Sequence, residues 1–409
     1  MVPEGWVKLA LSSVADVRTG IAKGKKDISD PISMPYLRVA NVQDGYLDLS
    51  EIKEIEVSRN MVERYRLQDG DVLMTEGGDF DKLGRGTIWR GQVPNCLHQN
   101  HVFAVRVHEG KLLPFFFAML SGGAYGKRYF LKAAKRSTNL ASINSTQLKA
   151  FPVLLPPLSE QKKIAEILST WDRAIEVAER QLETARLQKK ALMQQLLTGT
   201  RRLPGFDGEW KTVKLGDIAD TYSGLSGKSK TDFGSGAPYI PYKNVFDNAE
   251  TDASFLELVQ LSRGEEQNRV RKGDVIFTTS SEVPKEVGMS SVVLFEMEEL
   301  YLNSFCFGLR MHEMGVLLPV FGKHFFRSGH VRRKIVVLAQ GSTRYNLSKK
   351  EFMKIEIDLP CPQEQEAIAE YLEKAAQQVV SLKHSISHLR TEKRALMQQL
   401  LTGKKRVTV

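Results

Sequence analysis

The sequence predicts an α+β architecture with a pseudo-two-fold internal repeat: two similar mixed α/β domains joined by two long coiled-coil helices. Three observations predict it. The nine residues ALMQQLLTG at Ala191–Gly199 return unchanged at Ala395–Gly403, 204 positions later. Shorter words recur in the same order at offsets of 203 to 205. Two stretches of about 40 residues carry apolar positions in steps of four and three, the period of a coiled-coil seam.

The globular copies come first. Trp6 pairs with Trp210, Val14–Gly20 with Ile218–Gly224, and Tyr36–Val42 with Tyr239–Val245. LQDGDVLMT at Leu67–Thr75 pairs with VRKGDVIFT at Val270–Thr278, and STNLASI from Ser137 answers STRYNLS from Ser342. Two copies at so long a period describe a duplicated module rather than a solenoid. Runs such as DVLMTE, HVFAVRV, DVIFTTS and SSVVLFE are rich in β-branched and aromatic residues between Gly, Asp and Asn, which predicts strands. The order reads as a domain over 1–155, a helix over 156–200, a second domain over 201–360 and a second helix over 361–409.

The first helical seam runs through Ile164, Leu168, Trp171, Ile175, Ala178, Leu182, Ala185, Leu192 and Leu196, broken only at Lys189. The second runs through Ile368, Leu372, Ala375, Val379, Leu382, Ile386, Leu389, Leu396 and Leu400, broken at the matching Lys393. Pro156–Pro157 and Pro360/Pro362 allow a helix to begin but not to continue from upstream. Glu160 and Glu364 suit the positive N-terminal end of the helix dipole, and Gly199 and Gly403 suit the position just past a helix end. One apolar seam is incomplete alone, so two of matched length and phase are each other's expected partners. Ten residues join Gly199 to Trp210, while six follow Gly403 and five precede Trp6. Two-fold symmetry therefore predicts that the C-terminus lies beside the N-terminus.

At 409 residues, 42% hydrophobic and 26% charged, the composition is that of an ordinary globular protein of more than one domain. A net charge of +10 favours a polyanionic partner. The N-terminal residues lack a basic segment followed by an apolar run, and LLPFFFAML at Leu112–Leu120 is too short to span a bilayer. Cys96, Cys306 and Cys361 form no CxxC pair and no disulfide framework, so the expected location is cytoplasmic and no metal is expected.

Catalytic motifs are not found. SGLSGKSK at Ser223–Lys230 lacks the first glycine of a phosphate-binding loop, since Tyr222 stands there. There is no dinucleotide-binding GxGxxG between a strand and a helix, and no Pro-Pro-Tyr segment of the amino-methyltransferase kind. Glu51-Ile52-Lys53 lacks the upstream Pro-Asp of a nuclease site, and the lone HxxH at His98 and His101 suits packing or surface better than metal. The expected class is a non-catalytic binder.

Phosphate contact needs exposed cations, and base reading needs planar polar side chains beside them. Matched loops offer Lys23, Lys25 and Lys26 against Lys228 and Lys230, and Arg38 and Asn41 against Lys243 and Asn244. Lys82 and Arg85 face Lys285. Lys135, Arg136 and Asn139 face Gln340, Arg344, Tyr345 and Asn346. The framework words are kept between copies while these side chains change, which predicts two readers of different short sequences: a split, non-palindromic DNA site. Helices of roughly 60 Å would act as its ruler.

At LLPPLSEQKKIAEIL (154–168), LPCPQEQEAIAEYL (359–372), the two ALMQQLLTG endings, GDVLMTEGG and GDVIFTTSS, the chain resembles the DNA-specificity (S) subunit of type I restriction-modification enzymes. The likeness covers essentially its whole length; Cys361 stands where the first copy has the second proline of its pair. The resemblance implies two target-recognition domains and an antiparallel pair of spacer helices. It also implies two methyltransferase (M) subunits carrying S-adenosylmethionine, and restriction (R) subunits that use ATP and Mg. Two identical surfaces suit two copies of one partner, so Met193, Gln194, Gln195, Met397, Gln398 and Gln399 are candidate M-subunit contacts. Two other classes remain open on sequence: a stand-alone DNA methyltransferase or nuclease, and a coiled-coil scaffold whose basic charge is incidental.

Overall fold

A computed structural model describes residues 2–24, 28–78, 80, 83–136 and 141–408. The described residues divide into two compact units, one made of 1–179 with 384–409 and the other of 180–383. Each unit therefore takes part of both long helices, Leu158–Leu196 and Pro362–Leu400.

In the first unit a four-stranded antiparallel sheet runs in the order Ala15–Thr19, Val102–Val107, Val72–Thr75, Gly86–Ile88. Val72–Thr75 is buried at every position because it is covered on both faces. Val72 and Met74 join the core beneath helix Pro114–Gly122, while Leu73 joins a second core with Leu37 and Trp89. A three-stranded sheet sets Pro31–Leu37 between Lys53–Ser58, antiparallel, and Leu97–His98, parallel. Val7–Ala10 pairs with Pro152–Leu155 and so closes the domain next to the helix start. A small sheet of Gly77–Gly78, Ala141–Ser142 and Lys135–Arg136 completes the set.

The second unit repeats all four sheets in the same strand order. Its four-stranded sheet is Ala219–Ser223, Cys306–Met311, Val275–Thr278, Ser290–Val292, and again the fully buried strand divides two cores, with Phe277 on one side and Ile276 on the other. Phe233–Ile240 lies between Glu257–Val259 and Tyr301–Leu302, and Lys211–Lys214 pairs with Glu356–Leu359. The small sheet is Ser280–Ser281, Tyr345–Leu347, Ala339–Gln340.

Buried polar groups of the same kind hold both copies. The aspartate of each GDV word is buried and takes a forked arginine: Asp71 from Arg106 at 2.7–2.8 Å, Asp274 from Arg310 at 2.6–2.9 Å. Glu160 accepts from Trp6 Nε1 at 3.2 Å and from Arg406, and Glu364 from Trp210 Nε1 at 3.2 Å and Arg202 at 2.6–2.7 Å. These glutamates do more than favour the helix dipole. The next residue of each copy is a buried bracket: Gln161 accepts from Leu113 N–H and donates to the carbonyls of Lys111 and Pro156. Gln365 repeats this on Leu318, Val316 and Pro360. Within the first unit Arg406 also donates to the Glu4 carbonyl, which puts the C-terminal segment beside the N-terminus as the linker lengths predict.

Both long helices have 39 residues, and the left-handed Gly199 (φ 68°) and Gly403 (φ 65°) follow their ends. Every residue of the two predicted seams is buried or half-buried. The structure corrects the seam at its ends, where the leucines belong to globular cores. Ile164, Leu168, Leu400 and Leu401 lie in the core of the first unit; Leu196, Leu197, Ile368 and Leu372 lie in that of the second. Each ALMQQLLTG thus inserts its final leucine pair into a domain.

Candidate nucleic-acid interface

The small three-stranded sheet of each domain gathers the last group of sequence-predicted residues. In the first domain it floors a groove of about 530 Å³ lined by Val39, Glu76, Gly77, Gly78, His101, Lys135, Arg136, Ala141 and Ser142. Lys135 and Arg136 are exposed on its edge strand, and Arg136 stacks 6.0 Å from the Phe80 ring. Arg85 reaches the same wall, donating to the Val39 carbonyl at 3.5 Å. In the second domain the equivalent sheet brings Gln340 opposite Asn346, with Tyr345 half-buried beside it. Exposed Arg344 stacks 5.0 Å from the Phe305 ring. Tyr242 ties this sheet to helix Tyr242–Asp247 by donating to the Ser280 carbonyl, so exposed Lys243 sits on an adjoining element.

Other candidates lie elsewhere. Lys23 is exposed at a second cavity of about 700 Å³, 5.6 Å from the Tyr36 ring. Lys230 and Lys285 are exposed. Lys25, Lys26, Lys82 and Asn139 lie outside the described residues.

Three of the expected DNA contacts are instead internal. Asn41 is buried and gives both amide hydrogens to the carbonyls of Asp48 and Glu51, while its oxygen takes the Arg38 N–H. Asn244 is fully buried and donates to the carbonyls of Asp252 and Phe255. Each asparagine folds its own loop and has no donor left for a base. Lys228 is inside as well: its side chain is 7% exposed, and its ammonium donates to Glu265 and to the Gln260 carbonyl. The lysine holds Glu265 down to about 2, well below the usual carboxylate range. Arg38 is partly committed, 18% exposed and paired with Glu51 at 2.8 Å. Of the candidate partner contacts, Met193 and Met397 pack against the two cores, which leaves Gln194, Gln195, Gln398 and Gln399 exposed.

Sequence reasoning missed Glu76, His101 and Phe305. His98 and His101 separate completely: His98 is buried with Nδ1 2.7 Å from the Val102 carbonyl, and burial pushes its pKa down. His101 is exposed, with Nδ1 on the Glu76 carboxylate at the groove. The useful signal was position, since both flank strands of the duplicated framework. Among the described residues no cluster of His, Cys, Asp or Glu is placed to hold a metal ion.

A duplicated framework with two differently furnished grooves is matched by one family model, the type I restriction modification DNA specificity domain, over residues 3–185 and again over 207–389. The chain belongs to that family. The specificity-domain match is doubled at the same period as the sequence repeat. The chain is similar to the putative type I restriction enzyme MjaX specificity subunit of Methanocaldococcus jannaschii, 28% identical over 423 residues, covering 99% of this chain and 95% of that protein. Its fold is similar to the HsdS subunit from Thermoanaerobacter tengcongensis, with TM-score 0.58, 19% identity and coverage of 99% and 98%. A solved chain described under "complex assembly and conformational transition of the type I R-M system" gives TM-score 0.67 at 18% identity, covering 99% of this chain and 100% of that one.

Proposed function

We propose that this chain is the non-catalytic DNA-reading subunit of a type I restriction-modification complex, each domain reading one half of a bipartite, asymmetric site. The observation that carries this reading is the pair of equivalent small sheets with unlike side chains on a shared framework. Exposed cations at each would hold phosphates, and the planar groups beside them would meet base edges.

The two long helices set the distance between half-sites as an antiparallel coiled coil. Within the first unit Lys393 pairs with Asp172 and Arg390 with Glu179, so numbering rises on one helix as it falls on the other, which supports that pairing. Two M subunits dock on the helices and domains, with Gln194, Gln195, Gln398 and Gln399 as candidate contacts, and they bring S-adenosylmethionine. R subunits bring ATP and Mg. No helix among the described residues is long and apolar enough to cross a membrane, and a cytoplasmic complex suits its DNA partner.

The test is to co-express the chain with its M subunits and map methylated adenines by sequencing. Two short half-sites flanking an unread spacer are expected. A single uninterrupted motif, or methylation by this chain alone, would contradict the reading.

A further inference from the structure

We propose that positions 76 and 101 of the first domain, and 279 and 305 of the second, discriminate bases, with Glu76 and His101 accepting from the amino group of adenine or cytosine. The inference rests on the DNA-reading function and assigns it a chemistry at one position.

The two pairs occupy one backbone arrangement. Glu76 N–H donates to the His101 carbonyl at 2.9 Å, and Thr279 N–H to the Phe305 carbonyl at 2.8 Å. The Glu76 and Thr279 carbonyls in turn accept from Ile143 and Leu347, both at 2.8 Å. What differs is the side chains. A carboxylate accepts and does not donate, so the His101 nitrogen that meets Glu76, Nδ1, carries the proton. On a singly protonated ring Nε2 is then an acceptor, with the Asn100 amide nitrogen 3.4 Å from it. His101 is 53% exposed and Glu76 30% exposed, at a groove edged by Lys135 and Arg136.

Two acceptors beside two phosphate-binding cations call for a donor on the base. In the major groove only adenine N6 and cytosine N4 supply one. The second domain presents the opposite chemistry. Phe305 is 49% exposed under the Arg344 guanidinium, an apolar face with donors that suits a guanine edge.

The experiment transplants the second domain's letters into the first, Glu76→Thr with His101→Phe, in the complete complex with its M subunits. Methylation is scored on a library randomised through both half-sites. Discrimination should fall about tenfold or more at one specified base pair of the first half-site, with the other positions unchanged. Unchanged selectivity in the second half-site reports that the variant is folded and assembled. Glu76→Gln, which adds a donor, should change which base is preferred at that base pair. Lys135→Ala should weaken all sequences alike. Unaltered preference at every position of the first half-site in both Glu76 variants would overturn the proposal. A parent complex that methylates without sequence preference would overturn the DNA-reading function itself.

Discussion

The two domains share their principal buried ion pairs and brackets and diverge at the grooves. Trp6–Glu160–Arg406 and Trp210–Glu364–Arg202 make the same triad, and Asp71–Arg106 and Asp274–Arg310 the same fork. At the groove, Glu76 and His101 of the first domain correspond to Thr279 and Phe305 of the second on the same backbone arrangement. A buried charge that loses its partner is strongly destabilising, so the framework admits few replacements. An exposed groove side chain carries no such penalty, and the duplicated module can take on a second specificity there.

The comparison breaks most visibly at the forks. Asp71→Ala and Asp274→Ala should each cost about 3–5 kcal/mol, because each leaves a forked arginine unpaired. Denaturant unfolding of the full chain measures this; a cost under about 1 kcal/mol in either would make the forks ornamental. Next come the leucine pairs. Leu197→Ala and Leu401→Ala should each cost about 2–5 kcal/mol. Hydrogen exchange should place the first loss in residues 180–383 and the second in 1–179 with 384–409. Loss confined to the helices in both would mean that the repeat closes a helix pair only. Asn41→Ala and Asn244→Ala should cost about 1–3 kcal/mol each, by orphaning loop carbonyls, and leave the methylated sequence unchanged. A changed half-site would restore them as base readers.

A further effect separates the domains by pH. Burial pushes His324 down to about 4, so the folded second domain excludes a proton that the unfolded chain binds below about 6.5. That stability is fully present above the unfolded value and is lost as pH falls from about 6.5 toward 4, at no more than about 1.4 kcal/mol per pH unit. His324→Phe should flatten that part of the stability curve for the second domain. An unchanged slope would assign it to the carboxylates.

The duplication, the strands and the long helices were legible because periodicity is carried by residue type alone. The roles of Asn41, Asn244 and Lys228 were not, because a polar side chain reads the same whether it meets a base or a loop carbonyl. The repetition of the asparagine in both copies pointed to function and in fact marked shared architecture. Gln161 and Gln365 carried the same clue, an identical pair beside the prolines, and it went unused. Groove residues such as His101 were hidden for the converse reason: what varies between copies leaves no pattern.

The central claim is that each domain reads one half of the target. Replacing residues 6–155 with the corresponding domain of another family member, then sequencing the methylated sites of the assembled complex, tests it most directly. The account predicts a new first half-site with the second half-site and the spacer unchanged. A change in both half-sites, or in neither, would contradict it.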